Sequence, residues 1–209
     1  NRTIHIIGLN IDGKNKLMTE KCKKLKEIRK ERAEKIGLKL SKVGIEGAYE
    51  YTKKIAINGN ITRYHFAQFL IENKYARNLT DVFKHFLVKN KPGYVSTNWP
   101  NLDETINLIN IAGGVAVIAH PLRYKITATK LRKLIKEFKN CGGKAIEVIT
   151  SHNILKEVAI ASDYAKKYNL AASIGSDFHN EKTSWNKLGG LPLLPDNLLP
   201  VWKLWKDNN

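Results

Sequence analysis

No stretch of this 209-residue chain approaches the roughly 18 apolar residues in a row that a membrane-spanning helix needs, so no membrane partner is expected. Cysteine is scarce too. Cys22 and Cys141 lie far apart in unlike surroundings, which suits reduced thiols in a cytoplasmic protein better than a disulfide framework. The sequence opens on Asn1 without a Met and without a charged-then-apolar leader, so it is expected to be a piece of a longer chain. Acidic residues are few: 19 Asp and Glu against 36 Lys and Arg give a net charge of +17, which favours a polyanionic partner such as a nucleotide or nucleic acid. The bases run along the whole chain, densest over residues 14–42, so the charge bears on partners and not on fold.

What is present divides by period. Residues 3–11 alternate as a short strand around His5 and close at Asp12-Gly13. Over residues 14–43, Leu25, Ile28, Ile36, Leu40 and Val43 recur near helical spacing, predicting one long basic helix with Gly37 as a candidate kink or break and Gly44 as its stop. Shorter helices are predicted over residues 48–57, after a Thr62 cap, and after Asn78 or Thr80 through Leu87. Residues 14–100 therefore read as an all-helical insertion, and residues 1–13 with 101–209 as the domain that carries it.

From Asn101 helix and strand alternate. Asn101 and Glu104 form a capping pair, Gly113-Gly114 and Gly142-Gly143 end two helices, and apolar strands follow at residues 115–119, 145–149 and 170–174. This α/β rhythm implies a parallel sheet or barrel with helices outside. In such folds active sites gather at the C-terminal strand ends. There the sequence places His120, His152, Asp177 and His179, so three of only six histidines follow successive strands. On an extended backbone residues i and i+2 point the same way, so Asp177 and His179 are expected to face one ligand together. A carboxylate and an imidazole suit a divalent transition metal; a solvated turn is the competing reading.

Ile4-His5-Ile6-Ile7-Gly8-Leu9, Arg63-Tyr64-His65-Phe66-Ala67, Lys91-Pro92-Gly93-Tyr94-Val95, the run Gly113 through Pro121, and Gly175-Ser176-Asp177-Phe178-His179 together resemble the PHP (polymerase and histidinol phosphatase) superfamily. Within it they look like the branch of bacterial phosphoesterases that act on nucleoside 3',5'-bisphosphates or RNA 5' ends. The resemblance implies a distorted (β/α)7 barrel that hydrolyses phosphate esters with up to three divalent ions, often manganese. By motif, His5 and His120 would share one ion, Asp177 would bind a second and His179 a third. Arg63, His65 and Arg123 would hold the substrate phosphate, with Lys91 and Tyr94 as pocket wall. His85 and His152 match no motif. The family's His-x-His and the acidic ligands that follow it have no counterpart here, so the barrel is expected to lack its first strands and the isolated chain to hold metal poorly. Other readings of the same residues are a basic nucleic-acid-binding module built on the 14–42 helix, and an inactive truncated fragment. Oligomeric state is not legible.

Overall fold

A computed structural model describes residues 3–56, 60–151, 154–178 and 189–205. The chain forms two compact units, Asn1–Met18 with Pro100–Asn209, and Thr19–Trp99.

The first unit holds a four-stranded sheet in the order β1 (Ile6–Leu9), β2 (Val115–Ile118), β3 (Ala145–Thr150), β4 (Ala171–Gly175). The last three strands are parallel, because α6 (Ala128–Asn140) and α7 (Leu155–Lys167) return the chain between them. The first strand differs. β1 pairs antiparallel with β2, Ile6 opposite Ile118, so the residue before β1 lies at the edge where β2, β3 and β4 end. Every residue of β2 and β3 is buried, as a strand covered on both faces requires.

On one face Ile106 and Ile109 of α5 (Leu102–Ile111), Leu131, Ile135 and Phe138 of α6, and Ala161 and Ala165 of α7 close over Ile118, Ile146 and Val148. On the other, Val115, Val117, Ala145 and Ala171 meet Val201 of a short 3-10 turn, Val201–Leu204. The expected capping pair opens α5: Asn101 Oδ1 accepts the Glu104 N–H at 2.8 Å and Glu104 Oε2 accepts the Asn101 N–H at 3.3 Å. At the end of α6 the two glycines have separate reasons. Gly142 takes φ +93°, and a Cβ on Gly143 would lie 2.3 Å from the Phe138 ring.

The second unit is helical, with no strand among its described residues. It comprises α1 (Lys16–Ser41) from Thr19 onward, α2 (Ala48–Ile55), α3 (Arg63–Glu72), α4 (Leu79–Val82) and a π-helical turn, Phe83–Leu87. Its core is Ala33, Ile36, Leu40, Phe66, Phe69, Leu70, Val82 and Leu87. One local expectation fails. α1 runs unbroken through Gly37, where a Cβ would meet Tyr49 Cβ at 2.6 Å, so the glycine serves a close helix crossing and not a kink. The helix expected through Leu87 is present, and after Val82 it continues as a π turn. No helix of the described residues is long and apolar enough to cross a membrane.

Candidate metal and phosphate site

Antiparallel pairing of β1 sets the first contact. His5 precedes β1 and His120 follows β2, so their rings meet at 5.0 Å between centroids, with His5 Nδ1 3.1 Å from His120 Nε2. Two nitrogens each about 2.1 Å from one ion lie roughly 3.0–3.4 Å apart for ligand angles near 90–109°. The pair is therefore spaced as two ligands of a shared ion. His120 Nδ1 is buried without a hydrogen-bond partner among the described residues. Burial, then the neighbouring His5, lowers the His120 pKa and so favours the neutral ring, the form that donates to a metal.

Both histidines are held by their backbones. Tyr124 is buried in the 3-10 turn Pro121–Tyr124; its hydroxyl accepts the His5 N–H at 2.9 Å and donates to the His5 carbonyl at 3.3 Å. Burial pushes that phenol up to about 12, so it stays a donor across the working pH range. His120 stands at φ +29°, ψ +58°, a conformation costing a non-glycine residue about 1–3 kcal/mol. Its N–H donates to Glu147 Oε2 at 2.6 Å. Glu147 is 3% exposed in the middle of β3, and desolvation pushes its carboxyl up to about 7. The sequence reading passed over Glu147 and Tyr124. The signal for Glu147 was a carboxylate inside Ala-Ile-Glu-Val-Ile-Thr, a strand otherwise fit for burial.

Arg123 lies across the ends of β3 and β4. Its guanidinium donates to Asp177 Oδ2 at 2.7 Å, to Thr150 Oγ1 at 3.3 Å and to the Ser151 carbonyl at 2.8 Å. His120, Arg123, Glu147 and Thr150 line one cleft with Pro121 and Leu122. The expectation that Asp177 extends the strand is corrected: β4 ends at Gly175 and Asp177 turns left-handed at φ +52°, so the i, i+2 alternation does not run through it. His179 and His152 lie outside the described residues. Among the described residues no three His, Cys, Asp or Glu side chains converge as a metal cage. The donor chemistry that fits an ion there is the His5 and His120 pair.

Arg63 and His65 open α3 in the second unit. His65 Nδ1 accepts the Thr62 N–H at 3.0 Å, closing the capping box and leaving the ring proton of the neutral form on Nε2. Burial lowers the His65 pKa. Arg63 shares a cleft with Arg29, Arg32, Thr62 and Phe66, and stacks on Phe83 at 5.6 Å. Arg29 and Arg32 lie 5.4 and 5.9 Å over Trp99. Among the described residues none of the three arginines is ion-paired, and Arg32 Nε is buried without a partner. Burial and the Arg63 charge lower the Arg32 pKa. Among the described residues the three guanidinium groups thus share one cleft without a counter-charge. Sequence reading missed Arg29 and Arg32, although each stands four residues before an inward residue of α1, Ala33 and Ile36, where a solvated base is not expected. His85 pairs with Asp81 at 3.3 Å one turn away on the surface. Lys39 Nζ donates to the Tyr94 carbonyl at 2.8 Å, which ties the predicted pocket wall to α1.

No known family profile matches the chain. It is 40% identical over 206 residues, covering 99% of this chain and 70% of the relative, to the 5'-3' exoribonuclease Rnm of Escherichia coli. It is 36% identical over 202 residues, 96% of this chain and 71% of the relative, to a 3',5'-nucleoside bisphosphate phosphatase of Chromobacterium violaceum. Among solved structures it superimposes with a TM-score of 0.87 at 35% identity on an amidohydrolase from Chromobacterium violaceum with bound sulfate and no metal, covering 97% of this chain and 71% of that one. A metal-dependent phosphoesterase from Bifidobacterium adolescentis shares the fold, with a TM-score of 0.68 at 20% identity over 95% of this chain and 68% of that one. With His5 and His120 brought together at one sheet edge and relatives named as an exoribonuclease and a bisphosphate phosphatase, the chain belongs to the PHP phosphoesterase family.

Proposed function

We propose that this chain hydrolyses phosphate esters of nucleotides, either a nucleoside 3',5'-bisphosphate or the 5' end of an RNA, using divalent ions, manganese first among them and up to three in number. The observation that carries the reading is the 3.1 Å approach of His5 Nδ1 to His120 Nε2 at the sheet edge that also bears Arg123 and Asp177. His5 and His120 would hold one ion, and Asp177 and His179 would serve two more. When bound, such ions make water a competent nucleophile near neutral pH and neutralise charge on the phosphoryl oxygens.

The chain's own residues supply the rest. Arg123, braced through Nη2 by Ser151 and Thr150, offers a phosphoryl oxygen its remaining N–H donors and a positive charge that it cannot lose. Asp177 holds that guanidinium in place until substrate competes for it. The buried Tyr124 and Glu147 fix the backbones of His5 and His120, so neither ring must be ordered during reaction. In the helical unit Arg29, Arg32 and Arg63 grip a phosphate of the substrate, and His65 donates from Nε2 to one of its oxygens. The four strands are read as part of a distorted (β/α)7 barrel.

The test is to express the complete gene, load the protein with manganese, and assay a nucleoside 3',5'-bisphosphate beside a short 5'-phosphorylated RNA. Release of inorganic phosphate from the first or of mononucleotides from the second supports the proposal and separates its two substrates. Turnover of neither by folded, metal-loaded protein would sink it.

A further inference from the structure

We infer that Glu147 is the positioning residue of His120 and that Gly175 is glycine to make room for it. The inference rests on the reading of His120 as a metal ligand. Three observations carry it. First, Glu147 is the one carboxylate in a strand whose six residues are all buried, and a group so expensive to bury needs a task that offsets the cost. Second, that carboxylate spends Oε2 on the N–H of His120, at 2.6 Å, where the backbone stands at φ +29°. A short hydrogen bond to a strained peptide holds a conformation that the residue would otherwise leave. Third, a Cβ built on Gly175 would lie 2.0 Å from Glu147 Oε1, with the carboxyl carbon next at 3.2 Å and, chain neighbours aside, nothing else among the described residues within 4 Å. Gly175 is not among the glycines with positive φ, so it is not a glycine for the sake of its backbone. Its missing side chain leaves the space in which the Glu147 carboxylate lies.

Two residues from neighbouring strands thus fix one turn. Glu147 holds the peptide from which the His120 ring projects, and Gly175 keeps the carboxylate from being pushed off that peptide. Substituting either should therefore loosen the same thing, and substituting both should do no more than substituting Glu147 alone.

The experiment compares four variants of the protein expressed from its complete gene: Glu147→Ala, Glu147→Gln, Gly175→Ala and the double Glu147→Ala/Gly175→Ala. Two readouts are taken, the amide resonance and hydrogen exchange of His120 by NMR without metal, and manganese affinity by titration calorimetry. In Glu147→Ala and Gly175→Ala the His120 amide should move upfield and exchange faster, and manganese should bind about 10–100-fold more weakly. Glu147→Gln keeps an acceptor for the His120 N–H and should stay within a few-fold of the parent. The double variant should match Glu147→Ala, because the oxygen that an alanine at 175 would strike is gone. Additive losses in the double variant, or an unmoved His120 amide in Glu147→Ala, overturn the inference. Failure of the parent to bind manganese counts against the proposed function instead, and the amide measurement still decides the role of Glu147.

Discussion

Arg123 shows how one side chain is selected by the bonds it must make. It reaches Asp177, Thr150 and the Ser151 carbonyl at once, which needs a planar fork with several donors. Lysine offers a point charge and cannot span the three. Arg123→Lys is expected to lower kcat/KM for phosphate-ester hydrolysis by roughly 10²-fold while the thermal midpoint moves little, as steady-state kinetics and a melting curve will show. His65 gives a second residue-scale prediction. Its Nδ1 must be unprotonated to accept the Thr62 N–H, and its pKa in the fold is depressed by burial. The unfolded chain thus binds the proton more readily, so this contribution to stability is complete above the ordinary histidine pKa and is lost as pH falls through the lowered one. Glutamine accepts in the same position of a capping box and does not titrate. His65→Gln should therefore flatten the decline in melting temperature between neutral pH and about pH 5.

At the scale of elements, Gly37 sets two effects against each other. Alanine in a helix interior is favoured over glycine by roughly 1 kcal/mol, which alone predicts that Gly37→Ala stabilises α1. A Cβ there meets Tyr49 Cβ at 2.6 Å and Tyr49 Cα at 3.5 Å, atoms close to backbone that cannot swing away. Forcing α1 and α2 apart is expected to win, with a net loss of about 1–3 kcal/mol by urea denaturation. Much at this scale was legible in the sequence. The Asn101–Glu104 cap, the glycine pairs that end α5 and α6, and the strands carrying Val115–Ile118 and Ala145–Thr150 all follow from local periodicity and turn chemistry. What local pattern cannot carry is direction and approach. Nothing in Ile4-His5-Ile6 says that β1 runs antiparallel to β2, and a glycine that permits a helix crossing reads the same as one that breaks a helix. The same limit explains Asp177, whose place after a strand was plain and whose left-handed turn was not. Arg29 and Arg32 were hidden for a further reason, since a lysine-rich helix offers many bases and only the fold shows which of them face inward.

For the molecule as a whole, the excess of base has one local expression that matters. Arg29, Arg32 and Arg63 bring three positive charges to one cleft, and binding of a phosphate there should be screened by salt. The KM for a nucleotide or RNA substrate is expected to rise as salt is raised from about 50 to 200 mM, and Arg32→Ala should flatten that dependence; kinetics at several ionic strengths will check it.

In the proposed function, phosphate-ester hydrolysis runs at the sheet edge where His5 meets His120. The most direct test is the hydrolysis rate of the complete, manganese-loaded protein beside its His120→Ala variant, with chelated protein as a third arm. A loss of at least about 100-fold is expected in the variant and in the chelated sample, with the fold intact by circular dichroism. Hydrolysis at the parent rate by folded His120→Ala protein would contradict it.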